Sequence, residues 1–240
     1  MINSIPKSGT NLIGNTLYQF PYLRRRIAKT IRPLYYSDKE AYQKVKRTNS
    51  GQYSFSHLKY NDDLYSIITK KNIKVLFMIR DPRDIAVSHF KYVTNIDKDH
   101  KSHHFFNDLP NDKIRLMKVI TGEKGFVEPI NTVLEDYLPW LSKKGCLTIK
   151  FENLIGQKGG GDAELQLQLV KEIADFLEIT LKNNQLNKII DKIYSLNSPT
   201  FSTGQIGKWR EYFTDSHIQE FKNSTSDMLF KYGYEKDNNW

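Results

Sequence analysis

A run of apolar residues constrains the fold of this chain of 240 residues more than any other feature. Residues 75–79 are Val-Leu-Phe-Met-Ile, and the polar turn of residues 80–84 follows them. Five consecutive apolar side chains are typical of a strand that is covered on both faces. Strands of that kind belong to parallel sheets, so the segment predicts an α/β fold.

Strand and helix patterns alternate along the rest of the chain. Helices are predicted at residues 38–45, 64–69, 131–141 and 163–177, and further strands at residues 53–57 and 145–151. The polar, histidine-containing residues 95–112 predict a mobile loop. The alternation predicts a central mostly parallel β-sheet flanked by helices on both faces, and the length of the chain suits a single domain over residues 1–240.

The charge of the chain favours anionic ligands. It carries 36 Lys and Arg residues against 27 Asp and Glu residues, a formal net charge of +9. Nucleotides, nucleic acid and sulfated or phosphorylated substrates fit this balance. No apolar run has the length that a transmembrane helix or signal peptide requires, and the single cysteine, Cys146, allows no internal disulfide. We therefore expect a cytoplasmic protein.

The segment Pro6-Lys7-Ser8-Gly9-Thr10-Asn11 lies between a short apolar run and an amphipathic one. That order predicts a strand, a tight turn and a helix. A turn of this composition at a helix N-terminus suits an anion, because backbone N–H groups and the helix dipole supply positive potential. An ordinary turn with a surface lysine is the alternative. The lysine precedes the glycine, so the segment is not a Walker A motif and does not predict ATP or GTP hydrolysis.

Two later segments complete a pattern. One is Ile79-Arg80-Asp81-Pro82-Arg83-Asp84-Ile85-Ala86-Val87-Ser88, and the other is Gly204-Gln205-Ile206-Gly207-Lys208-Trp209-Arg210-Glu211-Tyr212-Phe213-Thr214. With the first loop, they resemble the cytosolic-type sulfotransferases that use 3′-phosphoadenosine-5′-phosphosulfate (PAPS). Signatures of that family are a Pro-Lys-Ser-Gly-Thr loop, an Arg-x-Pro-x-Asp-x-x-x-Ser segment and a late Gly-x-x-Gly-x-Trp segment, and their order and spacing match nearly the whole chain.

The resemblance implies a fold like that of the P-loop nucleotide kinases and a PAPS site without a metal ion. Lys7 would stabilise the charge on the leaving phosphate oxygen, and the loop would bind the 5′-phosphate. Arg80 and Ser88 match the pair that binds the 3′-phosphate in the family. The implied cofactor-binding residues are Lys7, Ser8, Gly9, Thr10, Asn11, Leu12, Arg80, Ser88, Phe151, Ser202, Thr203 and Gly204.

The resemblance also implies a catalytic base. Relatives place a histidine at the end of the strand before the arginine-containing strand, in a Lys-Thr-His-Leu setting. The matching residues here are Phe55-Ser56-His57-Leu58, so the implied base is His57. Histidine titrates near neutral pH and can remove the proton of an attacking hydroxyl.

Three positions depart from the family pattern: Phe55, where many relatives have a lysine, Leu12 and Ser202. Leu12 occupies the place of an aromatic residue that packs near the adenine, and Phe151 lies in a segment that matches a family Tyr-Glu-Asp sequence and can still contact the base. Ser202 replaces an arginine that binds the 3′-phosphate, so it can donate a hydrogen bond but supplies no charge. Gly204 still offers its backbone N–H group.

The acceptor is expected to be a small molecule with a hydroxyl or amine group, and the partners are not expected to include nucleic acid or a membrane. Aromatic residues lie in the stretches that should line its pocket, and with the base the implied substrate-binding residues are Tyr53, His57, Phe90, Tyr92 and Phe126. A P-loop-type nucleotide kinase and a non-catalytic nucleotide- or nucleic-acid-binding module remain the alternatives, and the sequence leaves the oligomeric state open.

Overall fold

The structure is a computed structural model that describes residues 1–26, 29–33, 36–194, 204–225 and 227–240. The chain divides into two compact units. The first contains Met1–Arg80 and Pro139–Pro199, and the second contains Asp81–Leu138 and Thr200–Trp240. The single domain over residues 1–240 stays a prediction.

The described elements follow the predicted alternation. The strands are β1 (Ile2–Ser4), β2 (Arg24–Arg25), β3 (Gln52–Tyr53), β4 (Phe55–Ser56), β5 (Val75–Ile79) and β6 (Cys146–Lys150). The α-helices are α1 (Thr10–Tyr18), α2 (Asp38–Lys46), α3 (Asp62–Lys70), α4 (Pro82–Asn95), α5 (His103–Asp108), α6 (Asp112–Thr121), α7 (Ile130–Tyr137), α8 (Phe151–Leu154), α9 (Ala163–Phe176), α10 (Asn183–Ile193), α11 (Asp215–Thr225) and α12 (Met228–Lys231). Short 3₁₀ helices cover Leu138–Ser142, Gln157–Gly159 and Lys208–Glu211.

The first unit is built on a four-stranded sheet with the order β4-β1-β5-β6. All three pairings are parallel, and Ile2 pairs with both Phe55 and Leu76. Every residue of β5 is at most 1% exposed. The predicted parallel sheet and its buried central strand are therefore confirmed.

Parallel pairing brings four chain segments to one edge of this sheet. The carboxyl ends of parallel strands lie at the same edge, where α/β proteins bind their ligands. The loop of residues 5–9 follows β1, His57 follows β4, Arg80 follows β5 and Phe151 follows β6. These segments supply most of the residues that the sequence singled out in this unit.

Helices form the core of the second unit. Phe90 on α4, Phe106 on α5 and Phe221 on α11 are fully buried. The Tyr232 hydroxyl donates to the Leu134 carbonyl oxygen at 2.7 Å. The His217 Nε2–H donates to the Lys113 carbonyl oxygen at 2.8 Å.

One prediction about this unit is wrong. Residues 95–112 were expected to form a loop, but they contain helix α5 and the first residue of helix α6. The reason is one apolar residue, Phe106, in a segment whose composition is otherwise mostly polar. Phe106 is fully buried, and its carbonyl oxygen accepts a hydrogen bond from Arg115 Nε at 2.7 Å.

Candidate active site

The loop after β1 turns through left-handed backbone conformations. Lys7 has a φ of 72° and Gly9 has a φ of 96°. The Ser8 N–H donates to the Ile5 carbonyl oxygen at 3.1 Å, which closes the turn. A positive φ at a residue other than glycine costs free energy, and such residues cluster at functional sites. Lys7 therefore marks this loop as a candidate site.

Helix α1 begins with features that suit an anion. Its N-cap residue is Gly9, which has no side chain to cap the helix, and the first turn of Thr10–Tyr18 contains no acidic residue. Ser8 is fully buried, and its Oγ atom has no hydrogen-bond partner among the described residues. Buried hydroxyl groups are normally satisfied, so Ser8 is a candidate hydrogen-bond donor to an anion bound at this loop.

Phe151 connects the loop with Arg80. The guanidinium carbon of Arg80 lies 4.4 Å from the centre of the Phe151 ring, and Arg80 is only 8% exposed. A Cβ atom at Gly9 would lie 2.6 Å from Phe151 Cδ2 and 3.1 Å from Met78 Cε. Only glycine allows the loop to approach this ring so closely, and its positive φ is also favourable for glycine alone.

Ser4 fixes the protonation of the His57 ring. The Nδ1 atom of His57 lies 2.9 Å from the Ser4 carbonyl oxygen and 3.1 Å from Ser4 Oγ. A carbonyl oxygen only accepts hydrogen bonds, so Nδ1 carries the hydrogen and Nε2 keeps its lone pair. Ser4 Oγ also lies 2.8 Å from Thr10 Oγ1. His57 is thereby linked to the start of helix α1, and Nε2 is the nitrogen that can accept a proton.

Asn3 holds the backbone around His57. Its Nδ2 atom donates to the Leu58 carbonyl oxygen, and its Oδ1 atom accepts from the Leu58 N–H, both at 2.9 Å. The same Oδ1 atom accepts from Ser56 Oγ at 2.9 Å, and Trp140 Nε1 donates to the Leu58 carbonyl oxygen at 3.1 Å. Both neighbours of His57 are thus fixed by buried hydrogen bonds, which restrict where the imidazole can lie.

The half-buried imidazole is neutral at pH 7. The pKa of His57 is lowered from 6.5 to about 4, chiefly because burial removes the ring from water. The positive charges of Arg32 and Lys7 act in the same direction, while the hydrogen bond to the Ser4 backbone acts against them. A neutral ring is the form that a general base needs.

In the second unit, Asp84 binds the backbone of the late glycine-containing segment, residues 204–209. Its two carboxylate oxygens accept from the N–H groups of Gly207 and Trp209, at 2.9 Å and 2.8 Å. Gly204 has a φ of 59° and Gly207 a φ of 70°. Ser88 is half-buried on helix α4. Ser202 and Thr203 lie outside the described residues.

The aromatic residues that were expected to line the acceptor pocket differ in exposure. Tyr53 is 5% exposed and packs edge-on against Phe55, with ring centres 5.9 Å apart. Phe90 is fully buried, and Tyr92 is half-buried. Phe126 is 42% exposed and stacks on a neighbouring ring. Phe126 is the most exposed of these four residues, and Phe90 is not exposed.

Two remaining cofactor positions lie on the first turn of α1. Asn11 is half-buried, and Leu12 is 9% exposed and belongs to the apolar core. Among the residues that the structure describes, no three His, Cys, Asp or Glu side chains group as a metal site would require. No helix in the described part of the chain is long and apolar enough to span a membrane.

Sequence reasoning missed the roles of Asn3, Ser4 and Asp84. A signal for the first two was present, because they are the only polar residues in the run Met1-Ile2-Asn3-Ser4-Ile5. Polar side chains in a buried strand need hydrogen-bond partners, which makes them candidates for fixing a neighbouring segment. No local pattern showed that Asp84 reaches a turn more than 120 residues later in the chain.

These features define an α/β protein with a candidate anion site in the loop after the first strand and a candidate histidine base after a neighbouring strand. Comparison with known proteins gives the family. The chain belongs to the sulfotransferase domain family, whose sequence profile matches residues 1–233.

Individual relatives are distant. Mouse sulfotransferase 6B1 is 24% identical, and the match covers 95% of this chain and 75% of that protein. The structure of mouse sulfotransferase SULT7A1 complexed with PAP has a TM-score of 0.70 at 18% identity, over 100% of this chain and 88% of that one. Retinol dehydratase in complex with androsterone and the inactive cofactor PAP gives a TM-score of 0.62 at 15% identity, over 95% and 79% of the two chains. The predicted fold class is confirmed.

Proposed function

We propose that this sulfotransferase moves the sulfuryl group of PAPS to a hydroxyl or amine group of a small-molecule acceptor. The observation that carries the proposal is the hydrogen bond between His57 Nδ1 and the Ser4 carbonyl oxygen, at 2.9 Å. It leaves Nε2 as a base at the edge of the sheet where the loop containing Lys7 begins a helix. Family membership supports sulfuryl transfer, and PAP in two similar structures supports the nucleotide.

The residues of the first unit fit a phosphosulfate group. The Ser8 Oγ atom is buried without a described partner, and the start of helix α1 lacks acidic residues. We assign the 5′-phosphate to Ser8, Gly9, Thr10 and Asn11 and a 3′-phosphate contact to Arg80, whose guanidinium group suits phosphate geometry. The ring of Phe151 and the side chain of Leu12 are assigned to the adenine.

The second unit contributes predicted contacts that rest on the family resemblance. Ser88 is assigned to the 3′-phosphate, with the backbone N–H of Gly204 and the side chains of Ser202 and Thr203. Serine and backbone N–H groups can donate to a phosphate without adding charge.

His57 and Lys7 divide the chemistry between them. The Nε2 atom of His57 accepts the proton of the attacking hydroxyl as the new bond from oxygen to sulfur forms. The bond between sulfur and the bridging phosphate oxygen breaks in line with the attack, and the ammonium group of Lys7 neutralises the charge that develops on that oxygen. Catalysis is then mainly positional and electrostatic. PAP is the leaving group.

Nucleotide binding should also improve the base. Lys7 and Arg32 both lower the pKa of His57. The negative charges of the nucleotide oppose these two cations, so we expect the pKa of His57 to rise when the nucleotide is bound. A base with a higher pKa takes a proton from the acceptor more readily.

The acceptor remains defined by class only. Tyr92 and Phe126 are assigned to its pocket because both residues are partly exposed. The assignment of Tyr53 and Phe90, which are buried, rests on the family resemblance alone. An aromatic lining would suit a phenol or an apolar alcohol.

Thermal-shift measurements with PAP, AMP and ATP test the nucleotide assignment. We expect PAP to raise the melting temperature more than either nucleotide that lacks a 3′-phosphate. Stabilisation by ATP with Mg²⁺ alone would indicate a nucleotide kinase instead. Equal responses to all three, with salt-sensitive binding of nucleic acid, would indicate a binding module.

Transfer itself is tested by incubating the protein with PAPS and a panel of phenols, alcohols and amines, with sulfated products detected by mass spectrometry. Lys7→Ala and His57→Ala should each lower kcat by at least about a hundredfold. Circular dichroism should show that both variants stay folded. A near-normal rate for His57→Ala on a hydroxyl acceptor would reject His57 as the base.

A further inference from the structure

An arginine between two tryptophans forms a buried cluster in the second unit. The guanidinium carbon of Arg83 lies 4.2 Å from the centre of the Trp209 ring and 4.5 Å from the centre of the Trp240 ring. Arg83 is 2% exposed. Its guanidinium group also pairs with Asp81 at 2.7 Å and with Glu235 at 2.6 Å. Two carboxylates and two aromatic faces thus compensate one buried cation.

This cluster holds the late glycine-containing segment from one side. Trp209 is 7% exposed, and its ring stands edge-on to Trp240 with centres 5.8 Å apart. The backbone N–H of Trp209 is bound by Asp84 at 2.8 Å. Trp209 is therefore held by its ring and by its backbone, and both groups that hold it, Arg83 and Asp84, lie in the first turn of helix α4.

Trp240 lies outside the part of the chain that the family profile matches, which ends at residue 233. It nevertheless completes the cluster, because it contacts Arg83, Trp209 and the buried Phe221, whose ring centre is 6.0 Å away. The ammonium group of Lys222 lies 5.0 Å from the centre of the Trp240 ring. Trp240, which lies beyond the matched residues, thus packs against Trp209 of the Gly-x-x-Gly-x-Trp segment, which lies within them.

We propose that Trp240 is a positioning residue for nucleotide binding: by stacking on Arg83 it keeps the turn of Gly207 and Trp209 in place and so sets the affinity for the 3′-phosphate. The inference rests on the proposed function, in which Gly204, on the same segment, contacts that phosphate. By the family resemblance, Ser202 takes the place of an arginine. With one cation fewer in the segment, affinity depends more on how rigidly its backbone donors are held.

The test compares Trp240→Ala with wild type by titration calorimetry with PAP and with AMP. We expect Trp240→Ala to weaken PAP binding about five- to thirtyfold, which is the range between losing an exposed cation–π contact and losing a desolvated one. Binding of AMP, which lacks the 3′-phosphate, should change less than twofold. In assays with PAPS, the KM for PAPS should rise while kcat at saturation stays near the wild-type value. Trp240→Phe should restore most of the affinity, because a phenyl ring can still stack on Arg83.

Val119→Ala is the matched control, because Val119 is buried on helix α6 and does not take part in the cluster. It should lower the melting temperature but leave the ratio of PAP to AMP affinity unchanged. A Trp240→Ala protein with the wild-type PAP affinity, or with equal losses for PAP and AMP, would overturn the inference. If wild type itself fails to prefer PAP over AMP, the proposed function fails instead, and the two failures are distinguishable.

Discussion

The carboxylate of Asp84 accepts hydrogen bonds from the backbone N–H groups of Gly207, at 2.9 Å, and Trp209, at 2.8 Å. Asp84 is 1% exposed. The aspartate of the Arg-x-Pro-x-Asp segment and the glycine and tryptophan of the Gly-x-x-Gly-x-Trp segment are therefore parts of one structural unit. These hydrogen bonds join two motifs that are far apart in the sequence. The two motifs pair through the protein's own groups, without a ligand between them.

We expect Asp84→Asn to lower the free energy of unfolding by about 3 kcal/mol, because a buried carboxylate that accepts two N–H groups is replaced by an amide that offers one acceptor oxygen. Urea denaturation measures this loss. Asp112→Asn is the control, since Asp112 pairs with Arg115 at the surface and should change stability little. Equal stability of Asp84→Asn and wild type would contradict the role of Asp84.

Ser8→Ala should separate stability from binding. The Ser8 hydroxyl is buried without a described partner, so its removal should leave the melting temperature of the nucleotide-free protein equal or raised. The stabilisation produced by PAP should fall, because a donor to the 5′-phosphate is lost. Thermal-shift curves with and without PAP measure both effects.

Ser54→Ala is the matched control for this prediction. Ser54 is also fully buried, and its Oγ atom likewise has no partner among the described residues, but it lies between β3 and β4, outside the loop. It should show the same tolerance without PAP and the wild-type response to PAP. An equal loss of PAP stabilisation in both variants would contradict a hydrogen bond from Ser8 to the 5′-phosphate.

Gly9→Ala should damage the loop through a defined contact. Its Cβ atom would lie 2.6 Å from Phe151 Cδ2, and the φ of 96° is unfavourable for alanine. Gly145→Ala has the same backbone problem, with a φ of 79°, but its Cβ atom would meet nothing within 4 Å. Both variants should lose about 1 kcal/mol of stability from backbone strain.

Only Gly9→Ala should lose additional stability and nucleotide affinity, because only there must the ring of Phe151 move. Denaturation curves and calorimetry with PAP on the two variants give the comparison. If Gly145→Ala lost as much PAP affinity as Gly9→Ala, general strain rather than the contact with Phe151 would be the cause.

His57 should make stability depend on pH. Its folded-state pKa of about 4 lies below the ordinary value of 6.5. Between these values the unfolded chain binds more protons than the folded one, so the contribution of His57 is fully present above pH 6.5 and is lost as the pH falls towards 4. The difference in unfolding free energy between wild type and His57→Gln should therefore shrink over this interval.

Urea denaturation of both proteins at pH 7, 6, 5 and 4 measures the difference, and the shared carboxylates cancel from it. Imidazole signals in an NMR titration should further show the pKa of His57 rising when PAP is bound. A folded-state pKa of His57 near 6.5 in the free protein would contradict the burial and charge effects described above.

The sequence determined the local parts of this protein. Strand, turn and helix signals are short-range, because an apolar run, a glycine in a tight turn and an amphipathic period each act over a few residues. They placed strand β5 and the loop around Lys7 at nearly their observed bounds. The single strand predicted over residues 53–57 is two short strands, β3 and β4, in the structure, and His57 follows the second. The order of the three motifs indicated the family before any distance was known.

Only the tertiary structure decided how these parts support one another. The tautomer of His57 depends on the Ser4 carbonyl oxygen, which lies 53 residues earlier, and the late turn depends on Asp84, over 120 residues away. Such pairings are set by strand register and burial, which bring distant polar groups into contact and oblige them to satisfy one another. Residues 95–112 are a further example. Their composition favoured a loop, but burial of the Phe106 ring stabilises helix α5 there.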